Sequence, residues 1–150
     1  MAGSGANGRD MKNFFHALLL PLAIIIAIRI VGFGLGLVPG TLWPTWMGAL
    51  FEVVAWSAYC LAGWLIVGNG VGNLLVAFLS GIVILFIEAV IQGGLLMLVP
   101  FFDSRVSLSD ARWAFFGTFA SFFIFSPIYI AASFLGGIAS KILSPKGTTH

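Results

Sequence analysis

The chain has 150 residues, of which 60% are hydrophobic and 8% are charged. A soluble domain carries about 25% charged residues, so a chain of this size and composition cannot cover a water-facing surface, and we predict one membrane-embedded domain. The net charge is +2 and the seven Lys and Arg residues form no basic run, which argues against a nucleic-acid partner.

The N-terminal region contains a short polar tail followed by the first of four long apolar segments. Residues 1–13 are polar and rich in glycine, and they predict a disordered tail. The apolar run over residues 14–38 exceeds the ~20 residues that a helix needs to cross a bilayer core of ~30 Å. A basic start before an apolar run also resembles a signal peptide, but this run is too long and no A-x-A site follows it. We therefore predict an uncleaved first transmembrane helix.

Three further segments are long and apolar enough to span a membrane. They cover residues 46–67, 74–102 and 113–143. The segment over residues 74–102 is long enough to require a tilt, or a bend at Gly93 and Gly94. We predict an all-α membrane protein with four transmembrane helices in a bundle over residues 14–143, followed by a C-terminal tail over residues 144–150.

Two connections between these segments have recognisable turn or cap chemistry. Residues 68–73 read GNGVGN and predict a tight turn, because no strand and no basic residue accompanies them as a phosphate-binding loop would require. Ser107 and Asp110 have the spacing of a capping box at the start of the fourth helix. The charged loop around them is alternatively a docking site for a partner.

The distribution of basic residues predicts the orientation in the membrane. Four spans place both termini on one side. The basic residues on that side are Arg9, Lys12, Lys141 and Lys146, and those on the opposite side are Arg105 and Arg112. Because Lys and Arg are enriched on the cytoplasmic side, we predict both termini in the cytoplasm of a multi-pass cell-membrane protein, with the bacterial inner membrane favoured by length and composition.

Three ionisable residues lie within the apolar segments, namely Arg29, Glu52 and Glu88. Each costs ~2.5–3.5 kcal/mol at a helix centre on insertion scales, so the three should face inward and pair. At ~1.5 Å per helical residue, Arg29 falls between the two carboxylates in depth, and a Glu52–Arg29–Glu88 cluster is geometrically possible. Gln92 lies one turn beyond Glu88 and extends the polar face of the third helix.

Two carboxylates against one guanidinium leave one surplus negative charge if both ionise, which is unfavourable in lipid. Three interpretations of this surplus remain open. In the first, the cluster locks helix packing and one Glu is neutral. In the second, Glu88 or Arg29 pairs with a charged helix of another subunit. In the third, Glu88 binds and releases a proton or a small cation.

Small residues recur at four-residue spacing in every predicted helix, which lets helix backbones approach closely in lipid. The pairs are Gly32 and Gly36, Ala58 and Ala62, Ala77 and Gly81, and Ala132 and Gly136. Packing within the chain explains most of these pairs. Small residues on several faces nevertheless leave surface for contact with other subunits.

The sequence contains no residue pattern typical of catalysis, a metal site or a cofactor site. Cys60 is the only cysteine, and Asp103 and Asp110 are seven residues apart on a solvated loop. We therefore predict a non-catalytic protein without a cofactor or metal, embedded in the lipid bilayer as a subunit or scaffold of a larger membrane complex or homo-oligomer. The alternative is a small oligomeric transporter or ion channel that uses Glu88 and Arg29.

Overall fold

A computed structural model of the chain describes residues 4–36 and 45–143. Within these ranges the chain forms helices and no strand. The helices are α1 (Ser4–Gly36), α2 (Thr45–Gly68), α3 (Leu74–Leu96), α4 (Val99–Phe102) and α5 (Leu108–Leu143). Four segments are long and apolar enough to cross a membrane: Met11–Leu35, Trp46–Gly68, Leu74–Phe102 and Ser126–Leu143. The chain is therefore all-helical with four candidate membrane spans, consistent with a multi-pass membrane protein.

Helix α1 begins earlier than the sequence suggests. It is helical from Ser4, so residues 4–13 of the predicted disordered tail belong to the helix. Extending an existing helix is inexpensive, because each added residue gains a hydrogen bond without a new nucleation step. The predicted C-terminal tail, residues 144–150, and the loop between α1 and α2 lie outside the described residues.

The turn between α2 and α3 has the predicted form. Gly70 adopts a positive φ of 66°, a conformation that side chains rarely tolerate. The backbone N–H groups of Val71 and Gly72 both donate to the carbonyl of Ile66. Asn73 then caps α3, since its side chain accepts a hydrogen bond from the backbone N–H of Val76 at 3.1 Å. These contacts confirm the tight turn over residues 68–73.

The long third span is interrupted at a different place from the one the sequence suggests. Helix α3 passes through Gly93 and Gly94 and ends at Leu96, and the short helix α4 follows from Val99. Pro100 explains this position, because it cannot donate a hydrogen bond to the carbonyl of Leu96 and its ring would clash with that carbonyl. Gly93 instead lies so close to the ring of Phe115 that a Cβ would come within 2.6 Å of it.

Helix α5 starts with a complete capping box and continues through a proline. The backbone N–H of Asp110 donates to Ser107 Oγ at 3.1 Å, and the backbone N–H of Ser107 donates to Asp110 Oδ2 at 3.2 Å. This reciprocal pair confirms the predicted cap. Further along, Pro127 has no backbone N–H to donate to the carbonyl of Phe123. The hydroxyl of Ser126 donates a hydrogen bond to that carbonyl instead, at 2.8 Å.

One half of the molecule is close-packed, and we call it the packed half. It is defined by the contacts of Gly63 and Gly136, where a Cβ would overlap the backbone carbonyl oxygens of Ser133 and Cys60 respectively. Ser133 also joins α5 to α3, since its hydroxyl donates to the carbonyl of Ala77 at 2.8 Å. Helix α2 therefore meets α5 backbone against backbone, and α5 in turn is hydrogen-bonded to α3.

We use the term open half for the other half, which holds the end of α3 and the starts of α2 and α5 and in which several helical glycines are exposed. A Cβ added at Gly34, Gly48 or Gly94 would find no atom within 4 Å. Trp113 lies at the start of α5 with 75% of its surface exposed. An aromatic ring of this kind is typical of the membrane–water interface.

Candidate functional site

Arg29 connects the two carboxylates within the membrane-spanning region. Its Nε donates to Glu88 Oε1 at 2.6 Å, and its Nη2 lies 2.5 Å from the same oxygen. Its Nη1 donates to Glu52 Oε1 at 2.9 Å. The structure thus brings together three of the four predicted polar residues, each from a different helix, through one guanidinium group with forked donors.

Two tyrosines complete the cluster. The hydroxyl of Tyr59 donates to Glu88 Oε2 at 2.6 Å, and the hydroxyl of Tyr129 donates to Glu52 Oε2 at 2.8 Å. Their rings also contact each other, with centroids 5.1 Å apart. Every carboxylate oxygen therefore has a donor, and α5 joins the cluster through Tyr129. We use the term charge cluster for Arg29, Glu52, Glu88 and these two tyrosines.

The two carboxylates have different surroundings. The side chain of Glu88 is 0% exposed and that of Arg29 is 12% exposed, whereas the side chain of Glu52 is 39% exposed. Glu88 is therefore sealed behind Arg29 and Tyr59, while Glu52 has one face open. Of the two carboxylates, only Glu52 can be reached from outside the charge cluster.

The exposed face of Glu52 borders a cavity of about 490 Å³ in the open half, which we call the polar cavity. Its lining combines charged, polar and aromatic side chains from α1, α2, α3 and α5. These residues are Arg29, Glu52, Gln92, Ala114, Gly117, Thr118, Phe122 and Tyr129. This volume lies within the range of about 300–1,000 Å³ that small-molecule sites occupy.

Gln92, the fourth predicted polar residue, lines the cavity without joining the charge cluster. Its Oε1 is buried and accepts no hydrogen bond from the described residues. Gln92 lies one helical turn from Glu88, on the same face of α3. Its amide nevertheless takes no part in the hydrogen bonds around Arg29.

The predicted small-residue pairs have mixed positions. Ala77, Gly81 and Gly136 are buried at helix contacts, and Ala132 packs at the edge of the hydrophobic core. Ala58 and Ala62 are buried in α2. Gly32 is half-buried, and the surroundings of Gly36 lie outside the described part of the chain.

The charged loop outside the spans contains local interactions only. Arg105 donates two side-chain hydrogen bonds to Asp103 at 3.0 Å, and these bonds lower the pKa of that carboxyl below its ordinary value. The hydroxyl of Ser107 donates to Asp110 at 2.6 Å and lowers the pKa of Asp110 in the same way. The carboxylates of Asp103 and Asp110 are therefore both paired locally.

Sequence reasoning missed several residues that shape the site. Tyr59 and Tyr129 are the chain's two tyrosines, against fifteen phenylalanines, and both lie in apolar segments. A hydroxyl on an aromatic ring in such a segment needs a partner, which is the signal that could have identified them. Gly63 and Ser133 were also missed: Gly63 has Tyr59 and Val67 at four-residue spacing and belongs to no small-residue pair, and the spacing of Ser133 from Gly137 does not indicate its contacts with α2 and α3.

The arrangement can hold a positively charged group but offers little to a metal ion. Among residues 11–35, 46–120 and the further described positions of α5, no three His, Cys, Asp or Glu side chains converge on one point. Arg29 also places a fixed positive charge beside the only exposed carboxylate of the cluster. Comparison with protein-family models, with characterised proteins and with solved structures finds no match to this chain.

Proposed function

We propose that the protein is a small membrane transporter in which Glu52 binds and releases a positively charged species, either a proton or a small cation. The observation that carries this proposal is the position of Glu52. Its side chain is paired with Arg29 inside a membrane-spanning segment, and it is nevertheless 39% exposed where the polar cavity lies. An ionisable group within a transmembrane segment that faces a cavity is a functional site by default.

The charge balance of the cluster supports uptake of a positive charge. One guanidinium is paired with two carboxylates, and Glu88 already receives two donors from Arg29 and one from Tyr59. Glu52 receives one donor from Arg29 and one from Tyr129. Glu52 is therefore the less strongly held of the two carboxylates, and a proton or cation at Glu52 neutralises the surplus negative charge that remains if both are ionised.

This proposal changes the residue that performs the chemistry. The sequence favours Glu88 as the ion-binding group because it is near the middle of its span. In the structure Glu88 is fully buried and does not line the polar cavity, whereas Arg29 and Glu52 do. We therefore assign the exchange of the cation to Glu52 and a fixed structural charge to Glu88.

The proposed orientation in the membrane rests on the sequence. We propose a four-helix bundle with both termini in the cytoplasm of the bacterial inner membrane, because Lys and Arg are concentrated near the termini. The polar cavity then lies in the outer half of the protein. In this orientation the packed half closes the cytoplasmic side in the present conformation.

The test is cation flux in liposomes of purified protein. An inside-negative potassium diffusion potential is imposed, and its dissipation by entering cations is followed with a voltage-sensitive dye. We expect dissipation with the native protein and a reduction of at least tenfold with Glu52→Gln. Asp103→Asn is the matched control, since it neutralises a loop carboxylate outside the spans, and it should conduct like the native protein. Equal dissipation by native protein and Glu52→Gln, or none by either, contradicts the proposal.

A second candidate function, assembly as a subunit of a larger complex or homo-oligomer, is favoured by the glycines of the open half. Gly34, Gly48 and Gly94 lie inside helices and are exposed, with empty space where a Cβ would be. Glycine in a helix costs about 0.5–1 kcal/mol relative to alanine, and these positions gain no contact within the chain in return. Close approach by a helix of another subunit would use them.

Native mass spectrometry after gentle solubilisation tests this second function. We expect a mass above that of the monomer, from the same chain or from a co-purifying partner. A Gly48→Leu variant should shift the mass toward the monomer, while Gly70, which lies in a turn at the opposite end of α2, provides a Gly70→Asn control without that shift. A native monomer with full flux activity contradicts assembly and leaves transport intact.

A further inference from the structure

We infer that the polar cavity is a binding site for a small organic cation with N–H donors, such as a primary alkylammonium. This assignment rests on the transport function proposed above and names its substrate class. It is drawn from three features of the cavity, namely its size, the acceptors it presents and the aromatic rings beside them.

The size of the cavity exceeds what an inorganic ion needs. At about 30 Å³ per water molecule, its volume of about 490 Å³ holds on the order of sixteen waters. A bare metal cation also requires several oxygen ligands at short distance. Glu52 is the one carboxylate on the cavity wall, and it is already shared with Arg29 and Tyr129.

The hydrogen-bonding groups on the wall suit a donor with several N–H bonds. Glu52 supplies a charged acceptor. Gln92 lines the cavity with an amide whose Oε1 is buried and has no hydrogen-bond donor among the described residues. A half turn of the amide exchanges its oxygen and its NH2 group, and the assignment requires the orientation in which the oxygen faces the cavity. Thr118 adds a hydroxyl. An ammonium group has three donors and no acceptor, which matches these groups.

The aromatic lining favours a cation with an organic body. Phe122 and Tyr129 both line the cavity, and their rings lie 6.4 Å apart. A ring face attracts a cation within about 6 Å, and the attraction is stronger where water is excluded. Ala114 and Gly117 leave room for an alkyl group beside these rings. The lining thus provides one polar end around Glu52 and one apolar side along α5.

Arg29 limits the position of the ligand. Its guanidinium forms part of the wall and repels a positive charge that approaches the Glu88 side of the cluster. The ammonium group is therefore held on the side of Glu52 that faces Gln92 and Thr118. This placement explains how a cation can bind beside a fixed arginine.

The experiment is calorimetric titration of the native protein in phosphatidylcholine nanodiscs at constant ionic strength. The probes are propylammonium, tetramethylammonium (a cation of similar size without N–H donors) and sodium. We expect propylammonium to bind at least fivefold more tightly than tetramethylammonium, and sodium to give no competition. Equal affinity for the two organic cations, tighter binding of sodium, or no binding of propylammonium overturns the assignment.

Variants locate the site. Glu52→Gln should weaken propylammonium binding at least tenfold, and Gln92→Leu should weaken it at least threefold. Glu88→Gln, which alters a carboxylate that does not line the cavity, should weaken it less than Glu52→Gln. If Glu52→Gln does not fold, the probe series on the native protein and the Gln92→Leu variant still decide the question. Unchanged affinity in Gln92→Leu contradicts the proposed role of the amide.

The outcomes separate this inference from the proposed function. Cation flux that depends on Glu52 without propylammonium binding leaves transport standing and rejects the substrate class. Propylammonium binding that depends on Glu52 without any flux supports the binding site and rejects transport.

Discussion

Tyr59 donates a hydrogen bond of 2.6 Å to Glu88, whose side chain has no exposed surface. Tyr129 donates a similar bond of 2.8 Å to Glu52, whose side chain is 39% exposed. The two tyrosine hydroxyls thus make the same kind of hydrogen bond in different surroundings. Water can replace the second hydroxyl but not the first, and this difference separates the structural carboxylate from the exposed one.

The first prediction compares Tyr59→Phe with Tyr129→Phe. Loss of the Tyr59 hydroxyl leaves a buried carboxylate oxygen without a donor, which should destabilise the protein by about 1–3 kcal/mol. Loss of the Tyr129 hydroxyl should cost less than about 1 kcal/mol, because water in the cavity can donate to Glu52. Unfolding in a denaturing detergent, followed by circular dichroism, measures both variants. An equal loss of stability in the two variants would show that Glu52 is as dry as Glu88.

Contact among Arg29, Glu52 and Glu88 was foreseeable from the sequence for a simple physical reason. A charge in an apolar span must pair, and the rise of a helix fixes the depth of each residue, so only a few pairings are possible. The exposure of Glu52 was not foreseeable, since it depends on how far the helices separate in the open half. Helix packing is set by close contacts such as the one between Gly63 and Ser133, which residue type alone does not indicate.

The helices themselves were largely predictable, and their interruptions less so. Hydropathy identifies spans because an apolar run of sufficient length has few alternatives in a bilayer. The sequence predicts a tilt of the third span or a bend at Gly93 and Gly94, whereas α3 passes through both glycines and ends at Leu96, where Pro100 has the stronger effect on the backbone. Glycine permits a bend, whereas proline removes a hydrogen bond, and the second effect decides where α3 ends.

The second prediction concerns removal of Arg29. Arg29→Leu leaves two carboxylates without their shared counter-charge, one of them fully buried, and should destabilise the protein by about 3–5 kcal/mol. The double variant Arg29→Leu/Glu88→Leu removes the buried charge as well and should recover part of this loss. Glu88→Gln alone should be milder than Arg29→Leu, because the amide oxygen can still accept from Arg29 while the amide NH2 donates to the hydroxyl of Tyr59, which can turn to accept. Expression yield and unfolding in detergent measure all three variants. A double variant less stable than Arg29→Leu contradicts a structural role for Glu88.

The third prediction concerns the pH dependence of the α5 cap. The hydrogen bonds of Ser107 lower the pKa of Asp110 from its ordinary value of 3.8. A lowered pKa means that the folded state favours the carboxylate, so its contribution to stability is complete above the unfolded pKa and is lost as the pH falls through the folded value. Asp110→Asn should therefore melt below the native protein at about pH 6, and the difference should narrow as the pH falls below 3.8.

Ser107→Ala provides the matched control for the cap. It removes the hydroxyl that lowers the pKa of Asp110 and should cost about 1 kcal/mol at neutral pH. In this background Asp110→Asn should have a smaller effect on the melting temperature than in the native protein. A pH dependence that is unchanged by Ser107→Ala would mean that the hydroxyl does not set the pKa of Asp110.

The last prediction contrasts glycines of the packed half with glycines of the open half. A methyl group on Gly63 or Gly136 would overlap a backbone carbonyl, and neither helix can yield without moving apart, so Gly63→Ala should destabilise by about 1–3 kcal/mol. Gly34→Ala meets no atom within 4 Å and should stabilise the isolated chain by about 0.5–1 kcal/mol through its lower backbone entropy. Detergent unfolding of the monomer measures both variants. If the open half binds another subunit, Gly34→Ala should stabilise the monomer and weaken the oligomer at the same time, because the added methyl group keeps the partner helix at a distance.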